Sequence, residues 1–175
     1  YSQVHIPTLN VTGWYDTMQQ STINNYVGMA KYGPKELQNM HKLIIGPWFH
    51  EIGPSRVGDL DFGSEAAVDF YPVELRWFDY WLKGIDNGIV VEPSVYIFVT
   101  GINKWQSEDR WPLKVAQPTQ YYFHSNGYAN KRTGNGVLNM VSPGDEPEDR
   151  YIYNPENPIP SFGGNVRRHP NIFGP

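Results

Sequence analysis

The sequence predicts an α/β unit followed by an antiparallel β region, and three observations carry that expectation. Two short extended runs, 7–12 and 42–45, flank a helical pattern. A second helix, at 72–83, carries both a start and a stop signal. Past Pro93 the helical period disappears, and β-branched and aromatic runs separated by Gly and Pro take its place.

The first run, Pro7 to Thr12, ends in Gly13-Trp14-Tyr15-Asp16, and the second, Lys42 to Ile45, ends in Gly46-Pro47-Trp48-Phe49-His50. Between them, residues 17–32 place Ile23, Tyr26, Val27 and Ala30 on one face of a 3.6-residue period, with Gln19, Gln20, Asn24 and Asn25 elsewhere. Gly33-Pro34 ends that helix. A strand–helix–strand unit with parallel strands follows, because a crossover of this length joins parallel neighbours. Ligands of open α/β sheets collect at the carboxyl ends of such strands. Asp16 and His50 both fall there, with Met18 and Gln19 close enough to touch a substrate. The layout is that of the last two members of a Ser-His-Asp triad of the α/β-hydrolase kind, in which nucleophile, acid and histidine follow in that order. A plainer reading stands beside it. Asp16 or Thr17 could cap the next helix, and a lone loop histidine is ordinarily a surface or hydrogen-bonded residue.

From Glu51 to Asp69 the chain reads as a polar, glycine-broken loop. Asp59, Asp61 and Glu65 could offer oxygens to a hard cation, but the ligands are too few and wrongly spaced for an EF-hand, so a solvated acidic loop is expected and no metal. In the 72–83 helix, Pro72 and Glu74 suit the N-terminal end, and Lys83 and Gly84 the C-terminal end. Leu75, Phe78, Trp81 and Leu82 form an apolar stripe expected to pack on the core, leaving Arg76 and Asp79 to face water. Residues 84–88 carry turn chemistry and mark a domain boundary, with an α/β part at 1–92 and a β domain at 93–175. Strands are expected at 94–100 and 119–124, with weaker candidates at 137–140 and 150–153, and 154–175 as a loop over a surface.

Composition narrows the function classes. The chain has 175 residues, enough for one core or parts of two, and 39% are hydrophobic. Twelve Tyr, eight Phe and six Trp mean that aromatic rings carry much of the burial, while 17 Gly and 15 Pro demand many turns. A net charge of −4 with mixed signs leaves no basic face for nucleic acid. No apolar run approaches the ~20 residues that span a bilayer. Without cysteine there is no disulfide framework and no thiolate metal site, which fits a cytosolic and an exported bacterial protein equally well. The first residue is Tyr1 rather than Met, so the natural N-terminus is expected elsewhere. No cofactor is expected, and self-association stays open.

GWYD at 13–16, GPWFH at 46–50, LRWFDYWLKG at 75–84, GINKW at 101–105, WP at 111–112 and YNPENPIPSFGG at 153–164 resemble, in order, the cocaine-esterase-like (CocE/NonD) serine hydrolases. That family includes α-amino acid ester hydrolases, glutaryl-cephalosporin acylases and X-Pro dipeptidyl-peptidases. The resemblance implies the C-terminal part of an α/β-hydrolase domain at 1–92, then the start of a jelly-roll β domain at 93–175, truncated here. It implies Asp16 as triad acid and His50 as base, acting on a small ester, amide or short-peptide substrate. The nucleophile is absent: no G-x-S-x-G occurs, Ser55 lies between Pro54 and Arg56, and Ser64 comes after His50. Serine and oxyanion donors are therefore expected upstream, and the chain alone is expected to be inactive. The alternative is a non-catalytic β module, with Tyr121, Tyr122 and Trp105 forming a binding face or packing surface.

Overall fold

The computed structural model describes residues 1–158, and its compact units divide after Lys114. In order, the elements are β1 (Leu9–Gly13), α1 (Gln19–Tyr32), β2 (Lys42–Gly46), β3 (Arg56–Val57), β4 (Leu60–Asp61), α2 (Tyr71–Lys83), β5 (Val95–Val99), β6 (Lys104–Glu108), β7 (Tyr122–His124) and β8 (Val137–Asn139). A 3₁₀ turn, Ser64–Ala66, precedes α2.

The first unit is built on a four-stranded sheet of order β1-β2-β5-β6. β1 and β2 run parallel in a register that pairs Leu9 with Lys42 and Gly13 with Gly46, so both strands end at one level. Side chains alternate across the pleat. Leu43, Ile45, Val95 and Ile97 bury against Ile23 and Tyr26 of α1. Phe98, on the opposite side, joins Phe49, Val57, Phe62 and Ala66 in a second cluster. At the far end from the strand tips, the fully buried His41 takes the Thr8 N–H on Nδ1 at 3.2 Å, tying the start of β1 to that of β2.

Three expectations for residues 51–100 need correction. The 94–100 run does form a strand, but β5 pairs in parallel with β2 and belongs to the α/β sheet rather than to a separate β domain beginning at 93. Its residues bury on both sides, as an interior parallel strand requires, and such a run looks the same in sequence as a sandwich strand. The turn-rich 84–93 segment is tied into this unit rather than serving as a linker. Lys42 Nζ donates to the carbonyls of Glu92 (2.5 Å) and Pro93 (2.9 Å), and Asn87 exchanges two 2.7 Å bonds with Arg76.

The second correction concerns α2, whose expected stripe is turned outward: Leu75, Phe78 and Leu82 are 44%, 50% and 75% exposed, while Trp77 is 5% exposed. Arg76 decides the rotation. Its guanidinium reaches the Asn87 carbonyl and the Glu92 carboxylate (2.5 Å), partners that lie on the inner side. Trp81 is half-buried against Trp77 and Tyr80, and Asp79 pairs with Lys83 one turn on.

Third, the 51–69 segment is more than a solvated loop. It contains the β3–β4 hairpin and sends Val57, Phe62 and Ala66 into the second cluster. Two of its acids are paired with cations, Asp61 with Arg56 and Glu65 with Lys104.

In the second unit, β7 and β8 form an antiparallel pair. Residues 150–153 form no strand, and the part of the expected 154–175 loop beyond 158 lies outside the described residues. Trp105 stands in β6 of the first unit, packed on Trp48 and Phe98, whereas Tyr121 and Tyr122 belong to the second unit.

Candidate active site

The carboxyl ends of β1 and β2 feed two turns that lie against each other. Trp14 N–H donates to the Gly46 carbonyl and Tyr15 N–H to the Trp48 carbonyl, both at 2.9 Å. Glycine is required at both strand ends. A Cβ on Gly13 would overlap the Trp48 carbonyl, and one on Gly46 would overlap the Trp48 ring. That ring is fully buried, with its indole N–H on the Ala66 carbonyl at 2.8 Å, and the Trp14 indole reaches the Phe98 carbonyl at 2.7 Å. Each tryptophan thus anchors its turn through both ring packing and a hydrogen bond, which is why a Gly-Trp or Gly-Pro-Trp sequence stands there.

The result is a defined pair. His50 Nδ1 lies 3.0 Å from Asp16 Oδ1, with the Asp16 side chain 4% exposed and that of His50 36% exposed. Asp16 Oδ1 also accepts the Met18 N–H at 2.9 Å, and the Asp16 carbonyl accepts that of Gln19 at 3.2 Å. Asp16 therefore ties down the turn before α1 while holding the histidine, but neither it nor Thr17 is the N-cap expected from the sequence: that position is Met18, without a side-chain capping bond. The α1 N-terminus favours a negative charge at this position. Its other oxygen, Oδ2, accepts the Thr12 hydroxyl at 3.2 Å. Sequence reasoning passed over Thr12, whose only signal is a hydroxyl four residues before the acid on the same strand.

Chemically, an imidazole whose Nδ1–H points into a buried carboxylate presents Nε2 as a proton acceptor. The solvent-accessible edge of His50 is where such an acceptor is useful. Met18, whose N–H bonds Asp16, is 46% exposed. Neither Ser55 nor Ser64 is hydrogen-bonded to His50; Ser64 opens the 3₁₀ turn. An apolar cavity of about 270 Å³, lined by Leu9, Ile44, Phe70, Val73 and Tyr96 among others, lies between the sheet and α2 and touches neither Asp16 nor His50. Among the described residues no cluster of three His, Asp or Glu side chains is arranged to hold a metal.

No family model matches the chain. It is 33% identical over 175 residues to cocaine esterase of Rhodococcus sp. (strain MB1 Bresler), an alignment covering 97% of this chain and 29% of that protein. A Mycobacterium bovis protein carrying the name serine esterase is 34% identical over 115 residues, 65% of this chain and 17% of its own length. A Bacillus anthracis protein carrying the name Xaa-Pro dipeptidyl-peptidase is 33% identical over 96 residues, 54% of this chain and 14% of its own. The chain thus spans under a third of the length of these relatives. Among solved structures, an aminopeptidase of a Thaumarchaeota archaeon from marine sediment superposes with a TM-score of 0.62 at 23% identity, over 90% of this chain and 24% of that one, a likeness of fold.

Proposed function

We propose, for a chain that belongs to the cocaine-esterase-like (CocE/NonD) serine hydrolase family, that it supplies the acid and base of a Ser-His-Asp triad whose serine lies outside these 175 residues. One observation carries the reading: the 3.0 Å contact between His50 Nδ1 and Asp16 Oδ1 at the level ends of two adjacent parallel strands. Asp16 holds the imidazole in the tautomer with hydrogen on Nδ1 and stabilises the cation that forms. His50 Nε2 takes the proton from the serine hydroxyl as it attacks a carbonyl carbon, then returns it to the leaving oxygen or nitrogen. The acyl-enzyme is released by water through the same two steps.

In this reading the unit through Lys114 is the C-terminal part of an α/β-hydrolase domain, and the chain from Val115 begins a jelly-roll-like β domain. The names of the relatives point to two substrate classes, carboxylic esters and Xaa-Pro peptides. The test is a panel of p-nitrophenyl esters and Xaa-Pro p-nitroanilides on the full-length protein, with fluorophosphonate labelling alongside. Turnover of at least one class together with labelling of one serine is expected. A protein that neither hydrolyses the panel nor takes the label overturns the reading. The 175-residue segment alone, lacking nucleophile and oxyanion donors, is expected to give neither.

A further inference from the structure

We infer that Thr12 is a positioning residue of this site, acting through Asp16 by fixing the carboxylate's second oxygen. The inference rests on the triad reading above. A carboxylate attached through a single bond turns easily, because the terminal torsion of aspartate is broad and two-fold. On Asp16, His50 Nδ1 and the Met18 N–H both approach Oδ1, at 3.0 and 2.9 Å. The Thr17 hydroxyl, at 3.5 Å, stands at the limit of hydrogen bonding to the same oxygen. With these donors alone the carboxylate could swing about Oδ1. Thr12 Oγ1 donates to Oδ2 at 3.2 Å and fixes the plane.

Thr12 is well placed to do so. It is fully buried, and its strand partner in the register is Ile45, so its side chain faces the α1 side with Ile45 rather than water. Its branched Cβ restricts χ1, so the hydroxyl is delivered in one direction from a rigid element. Among the described residues Asp16 is the hydroxyl's hydrogen-bonding partner, so a side chain of equal shape without the hydroxyl would leave the packing intact and remove the pin.

The experiment uses the full-length enzyme and compares Thr12→Val, which keeps the shape, with Thr12→Ser, which keeps the hydroxyl. Thr12→Val is expected to lower kcat about 10- to 100-fold, the range a hydrogen bond to a charged group corresponds to. Thr12→Ser, which keeps the donor to Oδ2, should restore kcat. If Thr12→Val fails to fold, Thr12→Ala carries the same comparison. An unchanged kcat in Thr12→Val overturns the inference. So does a Thr12→Ser enzyme as impaired as Thr12→Val, which would make the methyl group the contributor. Asp16→Asn is assayed beside them. If it loses activity while Thr12→Val does not, the positioning role alone falls. If Asp16→Asn retains activity, the triad reading falls and this inference with it.

Discussion

Gly13→Ala tests whether the close approach of the two turns is what brings Asp16 to His50. An added Cβ would overlap the Trp48 carbonyl and stand 2.9 Å from the Trp48 Cα. These are backbone atoms, and the Trp48 ring beyond them is fully buried with its indole held on Ala66, so the obstacle cannot swing aside. The turns must part by about 1 Å to restore ordinary contact distances. Overpacking of this kind costs about 1–3 kcal/mol. Weakening the Tyr15 N–H bond to the Trp48 carbonyl adds about 1 kcal/mol. Urea denaturation of the full-length protein, followed by tryptophan fluorescence, should therefore show a loss of about 2–4 kcal/mol. Because Gly13 and Trp48 sit three and two residues before Asp16 and His50, the same separation lengthens the 3.0 Å contact, and kcat should fall about 100-fold. Gly84→Ala is the control. Gly84 has φ 70° but nothing within 4 Å of an added Cβ, so it should cost only about 1–2 kcal/mol of backbone strain and leave kcat alone. A Gly13→Ala enzyme with wild-type stability and kcat would refute the reasoning.

Other expected outcomes follow from burial and charge. Trp77→Ala should cost about 3–5 kcal/mol and Phe78→Ala, half exposed, about 0.5 kcal/mol or less, with the half-buried Trp81 between them; equal losses at 77 and 78 in denaturant melts would contradict the orientation of α2. His124 gives a pH-dependent stability. Its Nδ1 meets the Glu146 carboxylate at 2.6 Å and its Nε2 the Val141 carbonyl at 2.8 Å, and two acceptors on one ring require the doubly protonated cation. The Glu146 hydrogen bond raises the His124 pKa above 6.5, helped by the Val141 carbonyl and the Asn139 side chain, and His124 lowers that of Glu146 below 4.5. Asp149 lies at the same cavity, bonded to Ser125 and Ala129. The histidine's contribution is present in full below its unfolded value and is lost as pH rises through the raised folded value; Glu146's is present above its unfolded value and is lost in acid. The Tm difference between wild type and His124→Gln should thus be largest between the two unfolded values, near about pH 5.5, and shrink as pH rises through the raised folded value of His124. A pH-independent difference would show that the ring contributes by packing.

How much was legible in the sequence depended on what each pattern encodes. The site pair was readable because Gly-Trp and Gly-Pro-Trp mark strand ends, and the parallel register carried Gly13 and Gly46 to the same level. The rotation of α2 was not. Periodicity identifies an apolar face but says nothing of which side the fold covers, and here Arg76 is drawn inward by Asn87 and Glu92, which are far along the chain or in a turn. The end of the α/β sheet was misplaced for a similar reason, since Val95–Val99 has the same composition whether its partner is β2 or a sandwich strand. Thr12 was invisible because its meeting with Asp16 depends on how the Gly13 turn folds the chain back, a tertiary fact without a spacing rule.

The most direct test of the account is kcat of the full-length enzyme carrying Asp16→Asn or His50→Ala, each checked for a wild-type melt. Asn keeps the shape of Asp16 but leaves the imidazole in the wrong tautomer, for which the serine-protease precedent is a loss of about 10⁴. His50→Ala removes the base itself and should cost at least as much, while His5→Ala, which alters a histidine away from the strand ends, should leave kcat unchanged. A folded Asp16→Asn or His50→Ala enzyme that turns over within a few-fold of wild type would contradict the assignment of these two residues as acid and base.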